Sequence, residues 1–306
     1  MKFDELKKNI TSIIKGKDNE IEIIISIFFS GGHILLEDVP GVGKTTLAKA
    51  LALSVSSEFK RIQFTPDLLP ADILGGSVYN ASEGSFNFRK GPVFANIVLA
   101  DEINRASPRT QSSLLECMSE NQITIEGTTH LLSPPFLVIA TQNPIDFHGT
   151  YPLPEAQMDR FAALLSLGYP SPDAELKMLF EQKENHPLEF IKPVMTSLEL
   201  VELQKQIKLI YVDQNVGKYI INIVNKTRED QRVELGLSPR AAIAMLHCAQ
   251  AHAFIQNRTH VTPDDIKFLA PYVFSHRLIP KRKSDKSTAI KKTILLDIMD
   301  QIKAPL

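Results

Sequence analysis

Only two cysteines, Cys117 and Cys248, occur in the 306 residues. They lie far apart, which excludes a disulfide framework and a cysteine metal cluster; both read as small buried hydrophobes of a chain kept in a reducing compartment. An excess of charge is also lacking. The 34 Lys and Arg stand against 35 Asp and Glu, so the overall balance favours neither nucleic acid nor an anionic membrane as partner. No apolar run approaches the roughly 20 residues of a membrane span. The longest, residues 21–29, contains Glu22 and reads as a buried helix. The opening MKFDELKKNITSII lacks the apolar core and cleavage site of a secretory leader, and a cytoplasmic location is expected. The histidines show no metal-binding spacing: His247 and His252 miss the i, i+4 step that shares a helix face. A basic stretch at 280–287 reads as a solvated face.

One further absence is local. Residues 35–46, LLEDVPGVGKTT, fit the phosphate-binding pattern Gly-x4-Gly-Lys-Ser/Thr except that Asp38 stands where the first glycine belongs. The context is the required one: a strand (HILLE, 33–37), a turn, then a good helix former (TTLAKALALSV). Pro40, Gly41, Val42, Gly43, Lys44, Thr45 and Thr46 are the expected nucleotide contacts. Gly41 and Gly43 let backbone N–H groups approach the phosphates, Lys44 neutralises the β- and γ-phosphates, and Thr45 offers a hydroxyl to Mg²⁺. Asp38 leaves the strand before the turn begins, so its carboxylate can point away and ATP binding is expected to survive.

Around this loop, β-type runs at 33–37, 61–65, 96–101, 136–141 and 162–167 alternate with helical ones, predicting an α/β domain on a five-stranded parallel sheet. GYPSP at 168–172 marks a boundary. Beyond it the apolar spacing is helical, with helix starts legible at Thr196 with Glu199, at Ser238-Pro239, and at Thr262-Pro263 with Asp265. The organisation expected is an ATPase core over 1–170 and an all-helical domain over 171–306.

A second motif gives the loop its chemistry. NIVLADEINRA, residues 96–106, drives Asp101 and Glu102 to the carboxyl end of a buried strand, where α/β sheets bind ligands. Asp101 is expected to hold Mg²⁺ through water, and Glu102 to take the proton of the water that attacks the γ-phosphorus. The alternative, an acidic pair in a solvated turn, does not account for its occurrence together with the loop.

LLEDVPGVGKTTLAKAL, GPVFANIVLADEINRASPRTQSSLLECMSE, LVIATQNP and YPLPEAQMDRF together resemble the MoxR branch of the AAA+ ATPases, which commonly lacks the first loop glycine. LSPRAAIAML resembles that branch's helical lid. The resemblance implies a P-loop ATPase core and lid, and three further site residues. Asn143 would be the polar sensor beside Glu102, the alternative being a turn former before Pro144. Arg160 would be an arginine finger serving the neighbouring subunit, the alternative being a surface pair with Asp159 or Glu155. Arg240 would be the lid's sensor for the γ-phosphate, the alternative being an exposed arginine at a helix start. The resemblance further implies two β-hairpin inserts, near 73–94 and 122–132, and a homo-oligomeric ring, a hexamer. The ring would remodel or mature a client protein, a protein complex or a metal or cofactor enzyme, beside partners such as von Willebrand factor A domain proteins. The competing reading is a nucleic-acid motor or a magnesium-chelatase-like subunit. Glu126, Gly127 and Thr128 at the second hairpin tip carry no cation for a phosphate backbone, and no nucleic acid is expected.

Overall fold

The computed structural model describes residues 2–143, 149–181, 187–282 and 287–305. In chain order its strands are β1 (Ile34–Glu37), β2 (Phe59–Gln63), β3 (Gly75–Asn80), β4 (Ser85–Lys90), β5 (Ile97–Asp101), β6 (Gln122–Ile125), β7 (Thr128–Leu131), β8 (Leu137–Gln142), β9 (Ala163–Leu165), β10 (Val233–Leu235) and β11 (Ile279–Pro280). Five of them form the expected sheet, in the order β2-β5-β8-β1-β9, with β5 parallel to both of its neighbours. Every residue of β5 is buried, as a continuous apolar run covered on both faces must be. The second strand starts and stops two residues earlier than its sequence pattern suggests, because Phe64 leaves the ladder while its N–H still donates to the Asp101 carbonyl.

Two antiparallel pairs stand apart from this sheet. β3 pairs with β4 from Gly75 opposite Lys90 to Asn80 opposite Ser85. β6 pairs with β7 across Glu126 and Gly127, whose φ values of 50° and 79° are those of the tight hairpin turn that matches strand twist. Ser77 donates to Glu126 at 2.7 Å and Phe88 stacks on His130 at 4.2 Å, so the two hairpins brace one another.

The chain divides into two compact units. One contains residues 1–21, 35–153 and 166–201, and its core is built on Leu35, Leu36, Val98, Leu99 and Ile139. The other contains residues 22–34, 154–165 and 202–306. The capping signals form as expected: Thr196 and Glu199 exchange hydrogen bonds, Ser238 accepts from the Ala241 N–H at 3.2 Å, and the Thr262 N–H donates to Asp265 at 2.7 Å. The carboxyl-terminal region is mostly rather than wholly helical. β10 and β11 pair antiparallel within it, runs of three and two residues that are too short to stand out as strands in the sequence. Both cysteines are buried, and burial pushes the Cys117 thiol up to about 12 and that of Cys248 to about 11, so neither is a nucleophile. Among the described residues no helix is long and apolar enough to cross a membrane.

Candidate nucleotide site

The loop between β1 and the helix Lys44–Ser54 is shaped by two glycines in the left-handed region, Gly41 at φ 88° and Gly43 at φ 89°. A side chain is strained at either position. Gly43 is the N-cap of the helix and has no side chain with which to satisfy its first N–H groups. By contrast, Ser107, Asp213, Ser238 and Ser287 each accept a backbone hydrogen bond at the start of their own helices. The uncapped N–H groups and the helix dipole therefore face the ligand side of the loop. A Cβ placed on Gly41 would meet nothing within 4 Å, so the loop borders open space there.

Asp38 is resolved by its partners. Its carboxylate accepts from the Ser166 hydroxyl at 2.7 Å and from the backbone N–H groups of Leu167 and Gly168 at 2.6 and 2.8 Å. It thus ties the end of β1 to the chain leaving β9, and it is only 3% exposed. Its carbonyl, not its carboxylate, accepts from the Lys44 ammonium at 3.0 Å. A glycine here would leave those donors without an acceptor, so the substitution exchanges one backbone freedom for a buried strap.

A cavity of about 370 Å³ opens beside the loop, lined by Pro40, Gly41, Gly43, Lys44, Thr45, Thr46, Arg61, Gln63, Asp101, Glu102 and Asn143. The predicted loop residues thus meet the acidic pair and Asn143 at the carboxyl ends of β1, β5 and β8. Burial lowers the Lys44 pKa, and the charges of Asp38, Asp101 and Glu102 oppose that shift. Thr141 on β8 fixes the acidic pair by donating to Asp101 at 2.6 Å and accepting from the Glu102 N–H at 2.8 Å. Glu102 itself sits at φ 57°, ψ 49°, a region that a non-glycine residue enters only when its surroundings hold it there.

Three residues of this site went unread in the sequence. Arg61 lies against Asp101, its Nη2 2.5 Å and its Nε 3.1 Å from the same carboxylate oxygen. Gln63 donates to Glu102 at 2.9 Å, and Arg105 donates to the same oxygen at 3.0 Å. The signal was present in RIQFT, whose alternation puts Arg61 and Gln63 on one face of β2. What the sequence withholds is the register: Gln63 is directly opposite Asp101, and nothing local says that β2 and β5 are neighbours. A smaller pocket of about 90 Å³ shares Gly41, Gly43 and Thr46 with the larger cavity and is also lined by Ile13, Ile14, Lys15, Lys17, Pro170 and Met178, and Val42 enters the site here. Apart from the loop, its walls come from residues 13–17, 168–170, 178 and 187, which had no sequence signature.

Arg160 and Arg240 are not among the residues lining either cavity. Both belong to the other unit, Arg160 half-buried in the turn after the helix Glu155–Met158, and Arg240 exposed as the second residue of the helix Pro239–Ile255. Asp159, one candidate surface partner for Arg160, gives its carboxylate to Arg277 at 2.7 Å.

The donor set of the larger cavity fits Mg²⁺ with a nucleoside triphosphate. It offers hydroxyl and carboxylate oxygens, a lysine and open N–H groups, and no thiol or imidazole among its lining. Comparison with known proteins supports the nucleotide part of this reading. Residues 33–163 match the family model described as ATPase family associated with various cellular activities (AAA), and residues 225–294 match the AAA lid domain. The chain is 47% identical to the uncharacterized protein YeaC of Bacillus subtilis, over 97% of this chain and 93% of that protein. It is 40% identical to Chaperone MoxR1 of Mycobacterium tuberculosis, over 88% of this chain and 74% of that one. A crystal structure from Cytophaga hutchinsonii, assigned as an ATPase, superposes with a TM-score of 0.91 at 38% identity, covering 100% of this chain and 95% of its own.

Proposed function

The chain belongs to the MoxR family of AAA+ ATPases, and from that premise we propose that it hydrolyses ATP with Mg²⁺ in a homo-oligomeric ring, a hexamer, that remodels or matures a client protein or complex. The observation that carries the hydrolytic part is the convergence of Lys44, Thr45, Asp101, Glu102 and Asn143 on one cavity. The uncapped helix start and Lys44 hold the triphosphate. The Thr45 hydroxyl and, through water, Asp101 hold the Mg²⁺, which when bound neutralises charge on the β- and γ-phosphate oxygens. Glu102 accepts the proton of the attacking water, and Asn143 helps to orient that water. The pocket lined by Ile13, Ile14 and Met178 is mostly apolar, with Lys15 and Lys17 also lining it, and shares Gly41, Gly43 and Thr46 with the larger cavity, which suits the base of the nucleotide.

Arg160 acts in the neighbouring subunit's site as a cation for charge developing on the transferred phosphoryl group, and Arg240 serves as the second cation of the γ-phosphate. Work on a client is supported by the chaperone name of a 40% identical relative; its place in the cytoplasm and a partner such as a von Willebrand factor A domain protein belong to the same proposal. The test is ATP turnover per subunit against protein concentration, with light-scattering mass measured with and without ATP. Turnover that rises with concentration together with a mass near that of six subunits is the expected result. Concentration-independent turnover by a monomer would remove the shared site while leaving the ATP site standing.

A further inference from the structure

Arg277 is a buried cation of the second unit. Its side chain is 3% exposed, and each of its five N–H donors has an acceptor. Nε donates to the Asp159 carboxylate at 2.7 Å; Nη2 donates to the carbonyls of Phe161 at 2.7 Å and Asp159 at 3.3 Å; Nη1 donates to the carbonyls of Ala162, at 3.2 Å, and Val273. Three of these carbonyls belong to residues 159, 161 and 162, which flank Arg160 on both sides. One guanidinium therefore fixes the backbone that presents Arg160. His276, next to it, adds a hydrogen bond to the Phe161 carbonyl at 3.1 Å.

The other side of Asp159 is also engaged. Ser238 lies 3.3 and 3.4 Å from its two carboxylate oxygens and donates to them, while the same hydroxyl oxygen accepts from the Ala241 N–H at the start of the helix Pro239–Ile255. Arg240 is the second residue of that helix. Asp159 thus stands between the segment carrying one arginine and the helix carrying the other, and both segments belong to the same compact unit even though some 80 residues separate them in sequence.

We propose that Arg277, through Asp159 and Ser238, is a positioning residue that locks the Arg160 segment to the Arg240 helix, so that the two cations move as one piece. The consequence is a direct link between sites. A displacement of the Arg240 helix in response to the nucleotide of its own subunit carries Arg160 with it, and so alters the completeness of the next subunit's site. This rests on the roles given above to Arg160 and Arg240. It explains why an arginine that lines neither cavity is buried with every donor occupied, where an apolar residue would fill the space without the desolvation of a charge.

The test supplies the finger from a subunit that cannot hydrolyse. Arg160→Ala subunits, whose own loop is intact, are mixed with Lys44→Ala subunits, whose finger is intact, and ATP turnover is measured. The Lys44→Ala donor is then replaced by Lys44→Ala/Arg277→Lys, which keeps the charge but loses the fork. Restoration of turnover should fall on the order of 100-fold, the scale of a catalytic group displaced by about 1 Å. Nucleotide binding by the Arg277→Lys single variant, followed by fluorescence of a labelled ATP, should persist. A Lys44→Ala/Ser238→Asp donor gives a second route: aspartate still caps the helix but sets like charge against Asp159, and this donor should fail likewise. Equal restoration by the altered and unaltered donors would overturn the proposal while leaving the shared site intact. No restoration by the plain Lys44→Ala donor would overturn the shared-site reading itself, and the coupling with it.

Discussion

Charged side chains are used in opposite ways beside the nucleotide cavity of one unit and in the core of the other. Around the nucleotide cavity they are part-exposed and incompletely matched: Lys44 has one hydrogen bond for three donors, and Arg61, with half its side chain exposed, rests on an Asp101 carboxylate that also faces open volume. Two charged residues of the other unit are buried and saturated. Arg277 uses all five N–H groups, and Asp265 accepts from His252, Arg258 and the Thr262 N–H while 1% of its side chain is exposed. A buried charge whose bonds are all made within the chain holds architecture, because any rearrangement strands it without a partner. A charge with bonding capacity to spare beside a cavity is available to a ligand. The difference separates Lys44, Asp101 and Glu102 from Arg277 and Asp265 more clearly than residue type does.

The sharpest way to break this contrast is at Glu102. Glu102→Gln should lower ATP turnover by about 10²- to 10⁴-fold, the usual worth of a general base, while labelled ATP still binds; unchanged turnover would take the base role from it. The matching change in the other unit is Asp265→Ala, which leaves Arg258 and His252 without their shared acceptor. It should cost about 3–5 kcal/mol of stability in urea titrations, the penalty for removing one partner of a buried charged pair. A loss below 1 kcal/mol would mean that water replaces the carboxylate and that the two units do not differ as described. Arg61→Gln removes a part-exposed cation from Asp101. Because such pairs contribute at most about 1 kcal/mol, the Mg²⁺ concentration for half-maximal turnover should fall only about two- to fivefold. A rise in that concentration would show instead that Arg61 assists the metal site.

Sequence reading reached the first unit more fully than the second, and for a physical reason. The phosphate loop and the strand-borne acidic pair are local patterns, since the backbone geometry that makes them work is encoded within a few consecutive residues such as Gly41, Gly43 and Asp101. Arg61 and Gln63 were visible as alternating polar residues but acquire meaning only from the pairing of β2 with β5. The Arg277 cluster was illegible, because Asp159, Ser238 and Arg277 come from three separate stretches and each alone reads as an ordinary polar residue. The short ribbon of β10 and β11 was missed for the same reason, its two strands lying far apart in the chain and being only three and two residues long. Asp38 is the reverse case: its oddity was plain in the sequence, and its explanation, a strap to Ser166, Leu167 and Gly168, required the fold.

The smallest expected effect tests whether saturation in the second unit also governs its response to pH. His252 is buried between two carboxylates, 2.5 Å from Asp265 and 3.3 Å from Glu22, and stacks on Phe268. Arg258 shares Asp265, and Gln256 donates to Glu22 at 2.5 Å. Burial alone would lower the imidazole pKa, but the hydrogen bonds and charges of Asp265 and Glu22 outweigh it and raise the value above the ordinary 6.5. A raised folded-state pKa means that the folded protein holds this proton more tightly than the unfolded chain does. The stabilisation is therefore fully present below about pH 6.5 and is lost as pH rises through the folded value. Urea midpoints of the native protein should decline over that interval, and those of His252→Gln, which has no proton to lose there, should decline less. Parallel curves for the two proteins would show that folding leaves the His252 pKa unchanged, and native midpoints that rise instead would show that the imidazole is held neutral in the folded state.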